Sequence, residues 1–133
     1  LAVLKHELES LGFGLHDEVA PANRYDLVGV TLDGDTRWLV HPSKRTWRLW
    51  YGIRSVLKVS SLAPVHMRKL AGHLVHHFSV SRPALSCLSQ IYRFIGDGTG
   101  GARPLDLAMR SELEVCRGLV PIVHANLGRS VIE

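Results

Sequence analysis

The chain has only two cysteines in 133 residues, Cys87 and Cys116. Their number excludes a disulfide scaffold, and their separation matches no metal-ligand spacing. They read as two ordinary buried thiols in a reducing, intracellular compartment, with a bridge between them as the alternative. Long apolar runs are absent as well: nothing approaches the roughly 18 residues that cross a bilayer, so no membrane role is expected. No internal repeat or low-complexity tract occurs. An initiator methionine is also lacking, and Leu1 already lies inside a helical pattern rather than a signal peptide. The chain therefore reads as an excerpt of a larger protein.

Catalytic constellations are equally scarce. Asp33 and Asp35 fall in a turn, Asp17 and Glu18 in a loop, and no Ser-His-Asp arrangement is legible. His73 and His77 have the spacing of two ligands on one helical face, without a third ligand or a metalloprotease context. The glycine-rich stretch Gly96-Asp97-Gly98-Thr99-Gly100-Gly101 follows no strand. It also lacks Lys-Ser/Thr at phosphate-loop spacing, so it reads as a connector.

What is present is a domain-sized chain with 46% hydrophobic residues, enough for one core. Sixteen Lys and Arg against 12 acids give a formal charge of +4 and a pI near 9.4. That modest excess is compatible with an anionic partner if the cations share a face. Leucines at positions 1, 4, 8 and 11 predict an amphipathic helix stopped by Gly12. The period then changes to two. Tyr25–Leu32 and Thr36–Val40 read as strands joined by a tight turn at Asp33-Gly34-Asp35. Gly29, in the middle of the first, predicts a bulge or a backbone that something approaches closely.

Helices are expected from Lys44 to Lys58 with Ser43 as cap, from Val65 to Ser79 with Pro64 in the first turn, from Pro83 to Ile95, and from Pro104 to Leu119. Ser60 and Ser61 offer caps between the first two. At 100° per residue, Leu49, Trp50, Ile53, Val56 and Leu57 form the core stripe of the first helix. Its other side carries Lys44, Arg45, Arg48, Arg54 and Lys58, with Trp47 and Tyr51 among them. This is either a solvated basic face or a nucleic-acid face, where cations neutralise phosphates and rings pack on sugars or bases. In the second helix Met67, Leu70, Ala71, Leu74 and Phe78 point inward; Arg68, Lys69, Gly72, His73 and His76 point outward. Arg68, Gly72 and His76 make a narrow i, i+4 track. A glycine there costs about 1 kcal/mol relative to alanine, so the gap suggests close approach by a partner.

Taken in order, these segments resemble the end of the palm and the thumb of a retroelement reverse transcriptase. Leu11-Gly12-Phe13-Gly14-Leu15 resembles the close of the last palm helix. Leu27-Val28-Gly29-Val30-Thr31-Leu32 resembles the primer-grip hairpin, and Val40-His41-Pro42-Ser43-Lys44 its exit into the thumb. Lys69-Leu70-Ala71-Gly72-His73-Leu74 resembles the thumb helix whose glycine faces the minor groove of the primer–template duplex. The resemblance implies that Val28 and Gly29 form the grip and that Arg68, Gly72 and His76 form the minor-groove track. His76 departs from the aromatic or amide side chains usual there, and Gly29 has no large neighbour.

The expected fold is therefore α+β: a helix and β-hairpin followed by a mainly helical, thumb-like bundle. By the resemblance, 1–41 is the end of the palm, 42–95 the thumb, and 96–133 a linker with the start of a connection-like region. The implied function is to position an RNA–DNA or DNA primer–template duplex through Val28, Gly29, Lys44, Arg45, Trp47, Arg48, Tyr51, Arg68, Gly72 and His76. The partners are that nucleic acid and the rest of the polymerase. No cofactor is expected in this segment; the Mg2+ of the parent enzyme would sit at an aspartate box upstream of Leu1, so the segment alone should not polymerise DNA. Two other classes fit the same residues. One is a basic helical module docking an acidic protein, and the other a decayed element copy with no activity.

Overall fold

A computed structural model of the chain describes residues 2–14, 22–97 and 100–129. The architecture is α+β, as the sequence predicts. Helix α1 (Ala2–Ser10) follows the leucine spacing, and its end is set by Gly12 at φ +84°. There Gly12 N–H donates to the Glu9 carbonyl and Phe13 N–H to the Leu8 carbonyl, the paired bonds of a left-handed C-terminal cap. None of its residues is fully buried: Leu4 is exposed and Leu8 half-buried. The loop expected at Asp17 and Glu18 lies outside the described residues.

Strands β1 (Arg24–Leu27), β2 (Val30–Asp33) and β3 (Trp38–Val40) form an antiparallel meander. The first strand read from the sequence is thus two strands. Val28 and Gly29 both adopt positive φ, +50° and +78°, as in the two-residue turns that match strand twist. Gly29 is the second residue of this turn rather than a bulge. A β-branched residue at positive φ is strained, which is why an unbroken apolar run conceals the turn. The turn expected at Asp33-Gly34-Asp35 is present. It extends to Arg37, which takes φ +57°. The Asp33 carboxylate accepts from the Asp35 and Thr36 N–H groups, and those bonds, the Thr36 one foremost, hold its pKa below the ordinary carboxylate range.

Helix α2 (Ser43–Leu57) is preceded by Pro42 at the N-cap; Ser43 is its first residue and caps nothing. Strand β4 (Ser61–Leu62) takes up one of the serines expected to cap the next helix. Helix α3 (Pro64–Phe78) begins with Pro64 as predicted, behind Ala63. The single helix expected from Pro83 to Ile95 is a 3₁₀ segment (Arg82–Leu88) kinked at Cys87, followed by α4 (Ser89–Gly96). The Glu112 carboxylate fixes the new start: it accepts from Ser89 Oγ at 3.0 Å, Gln90 N at 2.9 Å and Ile91 N at 2.8 Å. A cap supplied from another helix leaves no local trace in the sequence. Pro104 lies in β5 (Arg103–Pro104), which pairs with β4. Helix α5 (Leu107–Leu119) starts instead at Asp106, whose side chain accepts from Met109 N at 2.8 Å.

One core unites α2 to α5. Ile53, Met67, Leu74, Phe78, Ile91, Leu113 and Cys116 are completely buried in it, with Trp50, Val56 and Leu57 packed against its edge. Residues after 96 belong to this same core through Met109, Leu113, Cys116 and Val120. Arg110 fastens α5 to the end of α2, its guanidinium donating to the carbonyls of Leu57 and Val59 at 2.8 Å each. Strand β6 (Ala125–Asn126) then pairs with β3, giving the sheet order β1-β2-β3-β6 and tying the tail to the meander. Both cysteines are free thiols. Burial pushes Cys116 up to about 12, while Cys87 is half-buried. Among the described residues no helix is long and apolar enough to cross a membrane.

Candidate nucleic-acid interface

His41 joins the sheet to the bundle. It is buried between the meander and α3, with Nδ1 3.1 Å from the Gly29 carbonyl oxygen and Nε2 2.8 Å from the His77 carbonyl oxygen. Either neutral tautomer donates to one of these two acceptors. The ring stacks on His77 with centroids 4.2 Å apart, and His76 lies 5.4 Å away at a tilt. The Val28-Gly29 turn is thereby held against the start of α2 and the end of α3. A Cβ on Gly29 would overlap the Arg45 guanidinium and come within 3.6 Å of His76 Nε2. The sequence reading of Gly29 as a closely approached backbone is met here by Arg45, from within the chain. Val28 beside it is almost fully exposed, at 90%.

Between α2 and α3 runs a groove of about 530 Å³, lined by Pro42, Lys44, Arg45, Arg48, Leu49, Gly52, Leu70, His73 and His77. Among the described residues, Lys44, Arg45, Arg48 and Arg68 make no ion pair. The reason is in the sequence: between Asp35 and Asp97 there are ten Lys and Arg and no acid. The modest net charge of the whole chain conceals this segregation. Gly52 and the bridging role of His41 are not legible when the helices are read one at a time, because they acquire meaning only when α2, α3 and the turn are packed together.

The track Arg68, Gly72, His76 lies on the outer side of α3. Arg68 and Gly72 are exposed, and the space where a Gly72 side chain would sit is open. His76 is half-buried, and its Nε2 has no hydrogen-bond partner among the described residues. Trp47 and Tyr51 are 47% and 56% exposed and do not line the groove. So the structure brings together Gly29, Arg45 and His76 at the turn, and Lys44, Arg45 and Arg48 in the groove. It places Trp47 and Tyr51 on a different flank of α2.

His77 serves the fold. Its Nε2 donates to the Val120 carbonyl at 2.7 Å, and among the described residues no group of three His, Cys, Asp or Glu side chains could hold a metal ion. Burial, reinforced by neighbouring His41, His76 and Arg45, draws its pKa below the ordinary 6.5, against an opposing pull from the Val120 bond. The unfolded chain then takes up a proton below about pH 6.5 that the native ring refuses, so stability is full above that pH and falls as pH drops. We expect urea midpoints to decline from pH 7.5 to 5.5, and a His77→Gln variant to show a shallower decline. An equal slope in the variant would contradict this assignment.

Comparison with protein-family models, with curated proteins and with solved structures returns no match.

Proposed function

We propose that this segment positions a primer–template duplex for a reverse transcriptase whose catalytic aspartates and Mg2+ belong to another part of the polypeptide, in an intracellular compartment. The observation that carries the reading is the junction of the Val28-Gly29 turn with Arg45 and His76, beside a groove whose cations have no acidic partner among the described residues. Grip, groove and track are contributed by segments far apart in sequence, yet they border one another, and the sequence between Asp35 and Asp97, which supplies the groove and the track, contains no acid.

The work of such a surface is geometric. Lys44, Arg45 and Arg48 would take phosphates of one strand, Gly72 would admit the minor-groove edge past Arg68 and His76, and the exposed Val28 turn would bear on the primer end. Contacts of this kind fix register and orientation without reading sequence. The shape of the duplex and the spacing of its phosphates are what is recognised.

Charge reversal tests the reading. Arg48→Glu and Arg68→Glu are each expected to weaken binding to an RNA–DNA hybrid by about ten-fold or more at low salt, with far-UV circular dichroism unchanged because both side chains are exposed. Unaltered duplex binding in both variants would rule it out. It would favour the docking of an acidic protein on the same cations.

A further inference from the structure

Helix α2 carries three separate stripes. Leu49 and Ile53 enter the core, and Arg45, Arg48 and Gly52 face the groove. The third stripe is Trp47, Tyr51 and Arg54, continued by Lys58 at the C-cap, at the i, i+4, i+7, i+11 spacing of a single helical face. Its aromatic rings are too exposed to be core residues. Trp47 and Tyr51 flank Trp50 edge-on, at 5.9 and 5.0 Å between centroids, so they are braced from beneath with their outer surfaces open. Trp50 is half-buried, and the guanidinium groups of Arg54 and Arg117 lie 5.8 and 5.4 Å from its ring.

We infer that this ridge is a second nucleic-acid surface that takes single-stranded, unstacked bases, distinct from the groove that takes the duplex. Three observations support it. Two open rings one helical turn apart, about 6 Å along the axis, leave room for consecutive bases that have separated from one another. Arg54 and Lys58 continue the same stripe and supply backbone neutralisation. Charge complementarity favours a polyanion, because α2 contains no acid, and Glu114, brought to this side by its neighbour Arg117, is held by that arginine at 2.6 Å. The inference extends the duplex-positioning reading: a strand running past the duplex end would be gathered on the flank of the helix that holds the duplex.

The test uses the whole chain with two probes, a (dT)₁₂ oligonucleotide and a blunt RNA–DNA hybrid, read by anisotropy and by tryptophan quenching. The double variant Trp47→Ala, Tyr51→Ala is expected to lose about ten-fold or more in (dT)₁₂ affinity while hybrid affinity changes by less than about two-fold. Trp47→Phe, Tyr51→Phe should restore most of the loss, since the rings remain. Equal loss on both probes would merge the ridge with the groove and overturn the inference. No loss on (dT)₁₂ would overturn it too, and if the double variant also converted a wild-type dimer into a monomer, the ridge would be assigned to a second copy of the chain. Binding of (dT)₁₂ without binding of the hybrid would uphold the ridge and sink the duplex reading.

Discussion

Replacing His41 with alanine will lower stability by about 2–4 kcal/mol and weaken duplex binding as well. The ring is buried and faces the carbonyls of Gly29 and His77, which come from elements 48 residues apart. Its removal leaves the carbonyl to which the ring donates without a donor, at a site that is buried at His77 and part-buried at Gly29. Each buried polar group left unsatisfied costs about 1–3 kcal/mol, and the lost stack on His77 adds to this. The same contact fixes where the Val28-Gly29 turn sits relative to Arg45. A turn no longer tied to α3 would hold the primer end poorly, with a loss of duplex affinity on the order of ten-fold. Urea unfolding measures the first effect and anisotropy with an RNA–DNA hybrid the second. His41→Gln, which can still donate to one carbonyl but loses the ring stack on His77, should fall between wild type and alanine on both.

The second large effect lies away from the interface. Glu112→Ala removes the acceptor of three donors at the start of α4, two of them backbone N–H groups that the helix cannot satisfy itself. Charge-assisted bonds are worth about 1.5–3 kcal/mol each, but solvent can replace part of them, so a total loss of about 2–4 kcal/mol is expected. A chain of this size should then melt roughly 10 °C lower. Glu112→Gln keeps the acceptor without the charge and should lose about half as much. Because Glu112 touches neither the groove nor the ridge, duplex affinity measured well below the melting temperature should not change. That contrast separates a fold effect from an interface effect.

How far these features could be read in advance depends on where each signal resides. The inward stripe of α3 is a local pattern, and Met67, Leu70, Ala71, Leu74 and Phe78 are all buried as its period requires. The cations of α2 are likewise local, and they are exposed. The Asp33-Gly34 turn announced itself because its residue types are those a turn needs. The Val28-Gly29 turn did not, since valine at positive φ violates the preference on which turn reading relies, and tertiary contacts from Arg45 and His41 hold it in place. The kink at Cys87 and the start of α4 were hidden for a similar reason, their determinant being Glu112 on another helix. Pro104 reads as a helix start although it lies in a strand, because proline suits a helix start and an edge strand equally, and only pairing with Ser61 decides. The role of His41 is not legible in the sequence because it exists only between two carbonyls brought together by the fold.

In the proposed function, turn, groove and track together form one phosphate-binding surface. A salt titration of RNA–DNA hybrid binding tests it most directly. Four phosphate contacts, from Lys44, Arg45, Arg48 and Arg68, predict a slope of about −3.6 in log affinity against log salt, or roughly a hundred-fold loss between 50 and 200 mM. Affinity that stays flat across that range, or no measurable binding at 50 mM, would contradict it.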